Sequence, residues 1–125
     1  MEGIDFKNVQ AESKEIKAEY LIRPEMLLDR LDSIDIRMLK KFYMAGPKPF
    51  DMSPYVQITL TNELKKNGIS LSVKAVALRL GKMIDFGLIS QSKTTPKIYL
   101  PKEDLKPFVR KLIAIYSTNL GFDLI

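Results

Sequence analysis

One stretch, from Ile69 to Ile89, constrains the fold of this chain more than any other. Its sequence, ISLSVKAVALRLGKMIDFGLI, predicts a single amphipathic helix over residues 73–86. Ser72 is a suitable N-cap, because its hydroxyl can accept hydrogen bonds from the free amides of the first turn. Since a helix turns by ~100° per residue, one face collects the apolar side chains of Val73, Val76, Ala77, Leu80, Met83 and Ile84.

The opposite face of this helix is predicted to be cationic. It collects Lys74, Ala75, Leu78, Arg79 and Lys82, a set with three bases and no acid. Surface helices usually mix acids with bases, so a face of one sign indicates contact with an anion. The surrounding sequence has the same bias, because residues 59–100 hold seven bases and two acids in a chain of net charge +5.

Composition argues against catalysis. The chain has no cysteine and no histidine, so it lacks thiolate ligands, the commonest metal ligand and the commonest acid–base group. The acid pairs Asp32/Asp35 and Glu103/Asp104 fall at predicted helix starts, where capping and the helix dipole explain them. No glycine-rich phosphate loop, Ser-Lys nucleophile pattern or carboxylate metal cluster is recognisable. We therefore expect no enzyme, no cofactor and no metal site.

No apolar run approaches the ~20 residues that span a bilayer, and no secretory signal is recognisable. The prediction is a soluble, cytoplasmic protein that does not enter a membrane.

The first half of the chain predicts three elements. Residues 1–22 mix charges with scattered apolar residues, which indicates a loosely attached arm, although a short helix up to Tyr20 is an alternative. A short helix is expected over Glu25–Leu31. A stronger one is expected over Ile34–Ala45, capped by Asp32 or Ser33 and stopped by Gly46-Pro47.

A proline-rich loop is predicted over residues 46–54, followed by a short strand over residues 55–58. A helix then reaches Lys66, with Thr59 or Thr61 as its N-cap and Asn67-Gly68 as its C-terminal stop. After the basic helix, residues 88–92 and 97–100 predict a β-hairpin with a basic tip. A last helix is predicted from about Asp104 onward.

This order of elements is similar to the winged helix-turn-helix family of DNA-binding domains, of the prokaryotic and archaeal transcription-regulator type. The resemblance covers about residues 33–100. It is carried by the helix at 34–45, by TLTNELKKNG at 59–68 as second helix and turn, and by SVKAVALRLGKMIDFGLI at 72–89 as recognition helix running into the wing. It implies an α+β, mostly helical fold: a three-helix core with a two-stranded wing over residues 23–100, preceded by the arm at 1–22 and followed by an added C-terminal helix at 101–125.

The resemblance implies sequence-specific binding of double-stranded DNA, with the 73–86 helix in the major groove. Arg79 can donate to a guanine edge in bidentate fashion, whereas Lys74 and Lys82 suit phosphates. Ala75 and Leu78 can contact thymine methyl groups. The full set of expected DNA-binding residues is Ser72, Lys74, Ala75, Leu78, Arg79, Lys82, Lys93, Lys97, Lys65 and Lys66. Alanine at Arg79 or Lys82 is expected to leave the fold intact, on the expectation that both side chains point away from the core.

Other interpretations remain open. The basic face can be a solvated surface, and Lys65-Lys66 can compensate the helix dipole instead of binding a ligand. Leu78 is equally compatible with burial under another chain. A winged helix can also serve as a protein-interaction module in a larger nucleic-acid-processing assembly, and the sequence does not separate DNA from RNA.

The last helix predicts a homodimer. Its apolar stripe is wider than one small domain needs to cover, and Phe122, Leu124 and Ile125 extend it. The expected interface residues are Leu105, Phe108, Leu112, Ile115 and Tyr116. The alternative is that this helix packs on its own domain.

Overall fold

The structure is a computed structural model that describes residues 11–12, 14–44, 55–92 and 98–120. Within these ranges the chain is mostly helical with one small antiparallel sheet, which is the predicted α+β class. In chain order the elements are β1 (Ala11–Glu12), α1 (Ala18–Ile22), α2 (Pro24–Leu28), α3 (Ser33–Tyr43), β2 (Tyr55–Val56), α4 (Gln57–Lys66), α5 (Val73–Asp85), β3 (Ile89–Ser92), β4 (Ile98–Pro101), a 3-10 turn (Glu103–Leu105) and α6 (Lys106–Leu120).

Helix α3 begins with a capping box. A carboxylate oxygen of Asp32 accepts from the backbone N–H of Asp35 at 2.9 Å, and the Asp35 carboxylate accepts from the Asp32 N–H at 3.1 Å. Two amides of the first turn that have no partner within the helix are satisfied in this way. Of the two predicted caps, Asp32 and Ser33, the structure selects Asp32. The helix ends at Tyr43, and the predicted stop at 46–47 lies outside the described residues.

Helix α4 begins at Gln57, earlier than predicted. Of residues 55–58, Tyr55 and Val56 pair with β4, whereas Gln57 and Ile58 belong to α4, so the expected strand through Ile58 is wrong. The Thr59 hydroxyl donates to the Val56 carbonyl at 2.8 Å and accepts from its N–H at 3.2 Å. This exchange folds the chain back at once, because it satisfies backbone groups that a longer strand would have paired. Thr59 therefore lies inside the helix and is not its N-cap, and neither is Thr61.

Helix α5 has the predicted start and nearly the predicted end. The Ser72 hydroxyl accepts from the N–H of Ala75 at 3.1 Å, which confirms the cap. The turn before it passes through Gly68 and the turn after it through Gly87, at φ 83° and 81°. Both conformations suit glycine, because a Cβ is disfavoured in the left-handed region. Helix α5 buries Val76, Leu80 and Met83, three of the predicted inward residues.

The sheet is built on the predicted hairpin. Strands β3 and β4 pair antiparallel, with Ser90 opposite Leu100, and the predicted tip at 93–96 lies outside the described residues. Two-residue strands extend the sheet on each side, so the order is β1-β3-β4-β2. The pairing of β1 with β3, Ala11 opposite Ser92, was not predicted.

The N-terminal segment differs from the expected loose arm where it is described. Tyr20 is 6% exposed and packs edge to face with Phe86 at a centroid distance of 6.1 Å. Lys14 forms an ion pair with Asp85 at 2.8 Å. The backbone of residues 14–16 passes so close to Gly87 that a Cβ there would lie 2.7 Å from the Ile16 nitrogen and from the Lys14 oxygen. Residues 14–22 therefore pack against the C-terminal end of α5, and residues 1–10 lie outside the described ranges.

The core lies between α3, α5, α6 and the sheet. Helix α6 contributes Val109, Leu112 and Ile113, and the 3-10 turn before it contributes Leu105. At its centre Tyr43 is fully buried, and its hydroxyl donates to the Leu88 carbonyl at 2.6 Å and accepts from the Lys102 N–H at 2.8 Å. Burial raises the pKa of Tyr43 well above its usual value, so the hydroxyl keeps its proton. None of the helices in the described part of the chain is long and apolar enough to cross a membrane.

Candidate nucleic-acid interface

The outward face of α5 carries Lys74, Leu78, Gly81 and Asp85. Leu78 is 70% exposed, and Lys74 and Asp85 are exposed as well. The prediction that this face carries no acid is therefore wrong. Asp85 is the last residue of the helix, and it follows Leu78 by seven positions, so both lie on the same side. This face has a lysine at one end, an aspartate at the other and a leucine between them.

Arg79 does not extend into solvent as predicted. Its Nη1 atom donates to both carboxylate oxygens of Asp32, at 2.7 and 2.8 Å, and to Oδ1 of Asp35 at 3.0 Å. The side chain is only 23% exposed. Arg79 therefore ties the middle of α5 to the capped end of α3. Within the described ranges its hydrogen bonds come from Nη1, which leaves the Nε and Nη2 edge of the guanidinium for another acceptor.

Lys82 shares one partner with Arg79, the carboxylate of Asp35. Its ammonium group pairs with Oδ2 of Asp35, whose side chain is fully buried while that of Lys82 is 36% exposed. A buried carboxylate without partners is costly, and here it accepts from Arg79, from Lys82 and from the Asp32 backbone. The expectation that Arg79 and Lys82 only point away from the core is wrong, because both compensate a buried charge.

The pKa values follow from this network. Partial burial by itself raises the pKa of Asp32, but hydrogen bonds from Arg79 and the Asp35 N–H, with the charges of Arg79 and Lys82, outweigh burial and hold it below its ordinary 3.8. Burial lowers the pKa of Arg79, but its hydrogen bonds to the two aspartates outweigh that effect and raise it. Both groups are therefore charged at neutral pH.

The other predicted binding residues fall into three groups. Lys65 and Lys66 are exposed at the C-terminal end of α4, and Lys66 lies 3.4 Å from Glu63. Ser72 is exposed but used as the cap of α5, and Ala75 is half-buried. Lys93 and Lys97 lie outside the described residues. The structure thus brings Lys65, Lys66 and Lys74 to the two sides of the turn between α4 and α5, and it holds Arg79 and Lys82 in the cluster with α3.

Asp32 and Asp35 are the site residues that the sequence interpretation missed. They were explained as a cap, which is correct, but their second role is to bind two cations that follow 44 to 47 positions later. The only signal was indirect: two acids at one helix start and two bases one turn apart on the next long helix.

Gly81 is not required by the fold that is described. It lies inside α5, where glycine costs about 1 kcal/mol relative to alanine. A Cβ added there meets nothing within 4 Å among the described residues, and its φ is not positive. The space beside Leu78 on the outward face is therefore open.

Only some of the residues predicted to form a dimer interface are accessible to a second chain. Leu105 lies in the 3-10 turn before α6 and is 6% exposed, and Leu112 is fully buried in the core of the same chain, so these two do not form an outer surface. Phe108, Ile115 and Tyr116 are half-buried. More exposed apolar side chains lie elsewhere, for example on α1, where Ile22 is 78% and Leu21 is 46% exposed.

Among the described residues, no group of three or more aspartates and glutamates is arranged to hold a metal ion. Comparison with protein-family models, with curated proteins and with solved structures gave no significant match for this chain.

Proposed function

We propose that this protein binds double-stranded DNA as a winged helix-turn-helix domain and acts as a cytoplasmic, non-enzymatic regulator of transcription. One observation carries the proposal: helix α4, a short turn and the amphipathic helix α5 are followed directly by an antiparallel hairpin. The major groove of DNA admits an α-helix, and the outward face of α5 is exposed for such a contact.

The charge distribution supports contact at the N-terminal half of α5. Lys65 and Lys66 end α4, and Lys74 lies in the first turn of α5, so three exposed lysines flank one turn. The amides at the start of α5 add the positive end of the helix dipole. This end of the helix suits phosphates, and Leu78, half a helix further on, suits the methyl group of a thymine.

Arg79 has a more restricted role than the sequence suggested. Its Nη1 atom is held by α3, so a guanine would have to be contacted through the Nε and Nη2 edge. Loss of such a contact costs about 1–3 kcal/mol at a cognate site. Lys82, which is paired with the buried Asp35, contributes to phosphate binding only if it also reaches a phosphate with its remaining donors.

The test is fluorescence anisotropy with a random-sequence duplex pool at two salt concentrations. Wild type is expected to bind with an affinity that falls steeply as salt rises. Lys74→Ala should flatten the salt dependence by about one phosphate equivalent, because each phosphate contact releases about one counterion. Lys111→Ala, an equal change of charge on an exposed position of α6, is the matched control and should leave the slope unchanged. No salt-dependent binding by folded wild type would overturn the proposal.

A second candidate is a protein-interaction module, and one observation favours it. Leu78 is 70% exposed at the centre of a face whose neighbouring cations, Arg79 and Lys82, are already neutralised by aspartates. An exposed leucine of this kind is typical of a surface that another protein covers. The anisotropy series separates the two candidates, because this one requires no affinity for DNA.

Homodimerisation through α6 remains a prediction of the sequence. It now rests on Phe108, Ile115 and Tyr116, which are half-buried, because the other two predicted interface residues belong to the core.

A further inference from the structure

We propose that the outward face of α5 pairs with the same face of a second copy of this chain, with the two helices antiparallel. The proposal goes beyond the proposed function, since the pairing does not involve DNA and uses a different surface from α6. It rests on the arrangement of four residues of α5, namely Lys74, Leu78, Gly81 and Asp85.

The four residues lie on one side of the helix. At 3.6 residues per turn they fall within about 60° of the helix circumference. Lys74, Leu78 and Asp85 are exposed in the described structure, and the space above Gly81 is open within 4 Å. The face is therefore accessible to a partner helix as far as the described residues show.

Their order along the helix is self-complementary in charge. Lys74 and Asp85 are placed symmetrically about the point between Arg79 and Leu80, roughly 16 Å apart along the axis. When two copies of α5 are laid antiparallel about a two-fold axis at that point, the lysine of each copy lies level with the aspartate of the other. A two-fold interface uses the same patch on both copies, so two such ion pairs form at once.

The positions of Leu78 and Gly81 on this face are also complementary in shape. Leu78 and Gly81 are symmetric about the same point, so each exposed leucine lies level with a glycine of the other copy. A glycine at that level lets the helix axes approach closely and leaves room for the leucine. This arrangement accounts for two features that the single chain leaves unexplained: a leucine that is 70% exposed, and a helix-interior glycine that nothing in the described fold requires.

Charge complementarity favours a second copy of this chain over a partner of one charge sign. An unrelated basic or acidic protein would meet one matching and one opposing charge on this face, whereas an antiparallel copy matches both. Asp85 already has Lys14 as an intramolecular partner at 2.8 Å, but its side chain remains 69% exposed and can accept from a second lysine.

The pairing also occupies the surface assigned to the major groove. A paired α5 is covered along the length that would face a duplex, so the dimer and the DNA complex exclude each other. The interface of two such helices is smaller than the ~1,600 Å² of a standard stable complex, so the dimer is expected to be weak and to form only at high concentration.

The test is sedimentation velocity of the full chain, without DNA, up to about 500 µM, where a weak dimer is populated. Wild type is expected to show a monomer–dimer equilibrium. Lys74→Glu or Asp85→Lys alone should each raise the dissociation constant about tenfold, because each creates two like-charge contacts per dimer. The double variant Lys74→Glu/Asp85→Lys restores both pairs and should return to within about threefold of wild type.

A further variant guards against misfolding as the cause. Gly81→Gln should weaken the dimer by filling the gap and raise the melting temperature of the monomer, because glutamine favours the helix more than glycine does. Tyr116→Ser tests the competing interface on α6 and should leave the monomer–dimer equilibrium unchanged. A wild type that stays monomeric at about 500 µM overturns the pairing. So does a dimer that the double variant fails to restore, or one that only Tyr116→Ser weakens. These outcomes do not depend on the anisotropy result, so the two proposals fail separately.

Discussion

The Nη1 atom of Arg79 lies 2.7 and 2.8 Å from the two carboxylate oxygens of Asp32, a residue 47 positions earlier that also caps helix α3. One carboxylate therefore caps the start of α3 and also binds a side chain of α5. Asp35 repeats the arrangement, because it completes the same cap and accepts from Arg79 and Lys82. The orientation of α5 relative to α3 is held at this point by charge as well as by apolar packing.

Arg79→Ala is expected to lower the free energy of unfolding by about 1–3 kcal/mol, because it removes the main partner of Asp32 and leaves the buried Asp35 with one cation fewer. Urea unfolding followed by circular dichroism measures the change. Lys74→Ala, an equally basic position on the exposed side of the same helix, is the matched control and should change stability by less than about 0.5 kcal/mol. Equal stability of the two variants would contradict the role given to Arg79.

Asp32 should make stability depend on pH in the acid range. Its pKa is lower in the folded chain than its ordinary 3.8, so the folded state favours the charged form. The contribution is present above the unfolded pKa and is lost as pH falls through the lower, folded one. The difference in stability between wild type and Asp32→Asn should be the same at pH 7 and pH 6 and shrink below about pH 4. Urea unfolding over this range checks it, and a difference that grows on acidification would be inconsistent with a lowered pKa.

Tyr43→Phe is expected to destabilise the fold by about 1–3 kcal/mol, because it leaves the Leu88 carbonyl and the Lys102 N–H without their buried partner. The matched control is Tyr20→Phe, since the ring of Tyr20 is buried but the described structure gives its hydroxyl no hydrogen bond. That change should cost less than about 0.5 kcal/mol. Thermal unfolding measures both, and similar melting temperatures for the two variants would argue against the two hydrogen bonds.

Two glycines of α5 and its following turn should respond to alanine with opposite signs. Gly81→Ala should stabilise the fold by about 0.5–1 kcal/mol, because the helix gains propensity and the added Cβ meets nothing nearby. Gly87→Ala should destabilise it by at least about 1–3 kcal/mol, because φ is +81° and the Cβ would overlap the backbone of residues 14–16. The measurement is urea unfolding of both variants, and a stabilising effect at Gly87 would show that the segment does not lie against it.

Local signals explain which parts of the fold were predictable. The caps of α3 and α5 and the hairpin were anticipated because a cap or a turn depends on residues within a few positions of it. The start of α4 was missed because the Thr59 hydroxyl bonds back to the N–H and carbonyl of Val56, whereas an N-cap hydroxyl accepts from an amide further along the helix.

Long-range pairing explains what was missed at the site. Helical periodicity placed Arg79 and Lys82 on a different face from Val76 and Leu80, but it carries no information about acids 44 to 47 positions away. The N-terminal segment was missed for the same reason, because its ordering depends on Asp85, Phe86 and Gly87 and not on its own composition.

The contact of residues 14–16 with Gly87 also has an evolutionary consequence. Residues 14–16 and Gly87 are more than 70 positions apart in the chain, but their backbones pack closely together. Lys102 Nζ joins them by donating to the carbonyls of Lys14 and Gly87 at 2.9 and 3.1 Å. Neither place can gain atoms without the other giving way. Relatives that carry a side chain at the position of Gly87 are therefore expected to have a shortened or rerouted N-terminal segment, and relatives that keep the segment are expected to keep the glycine.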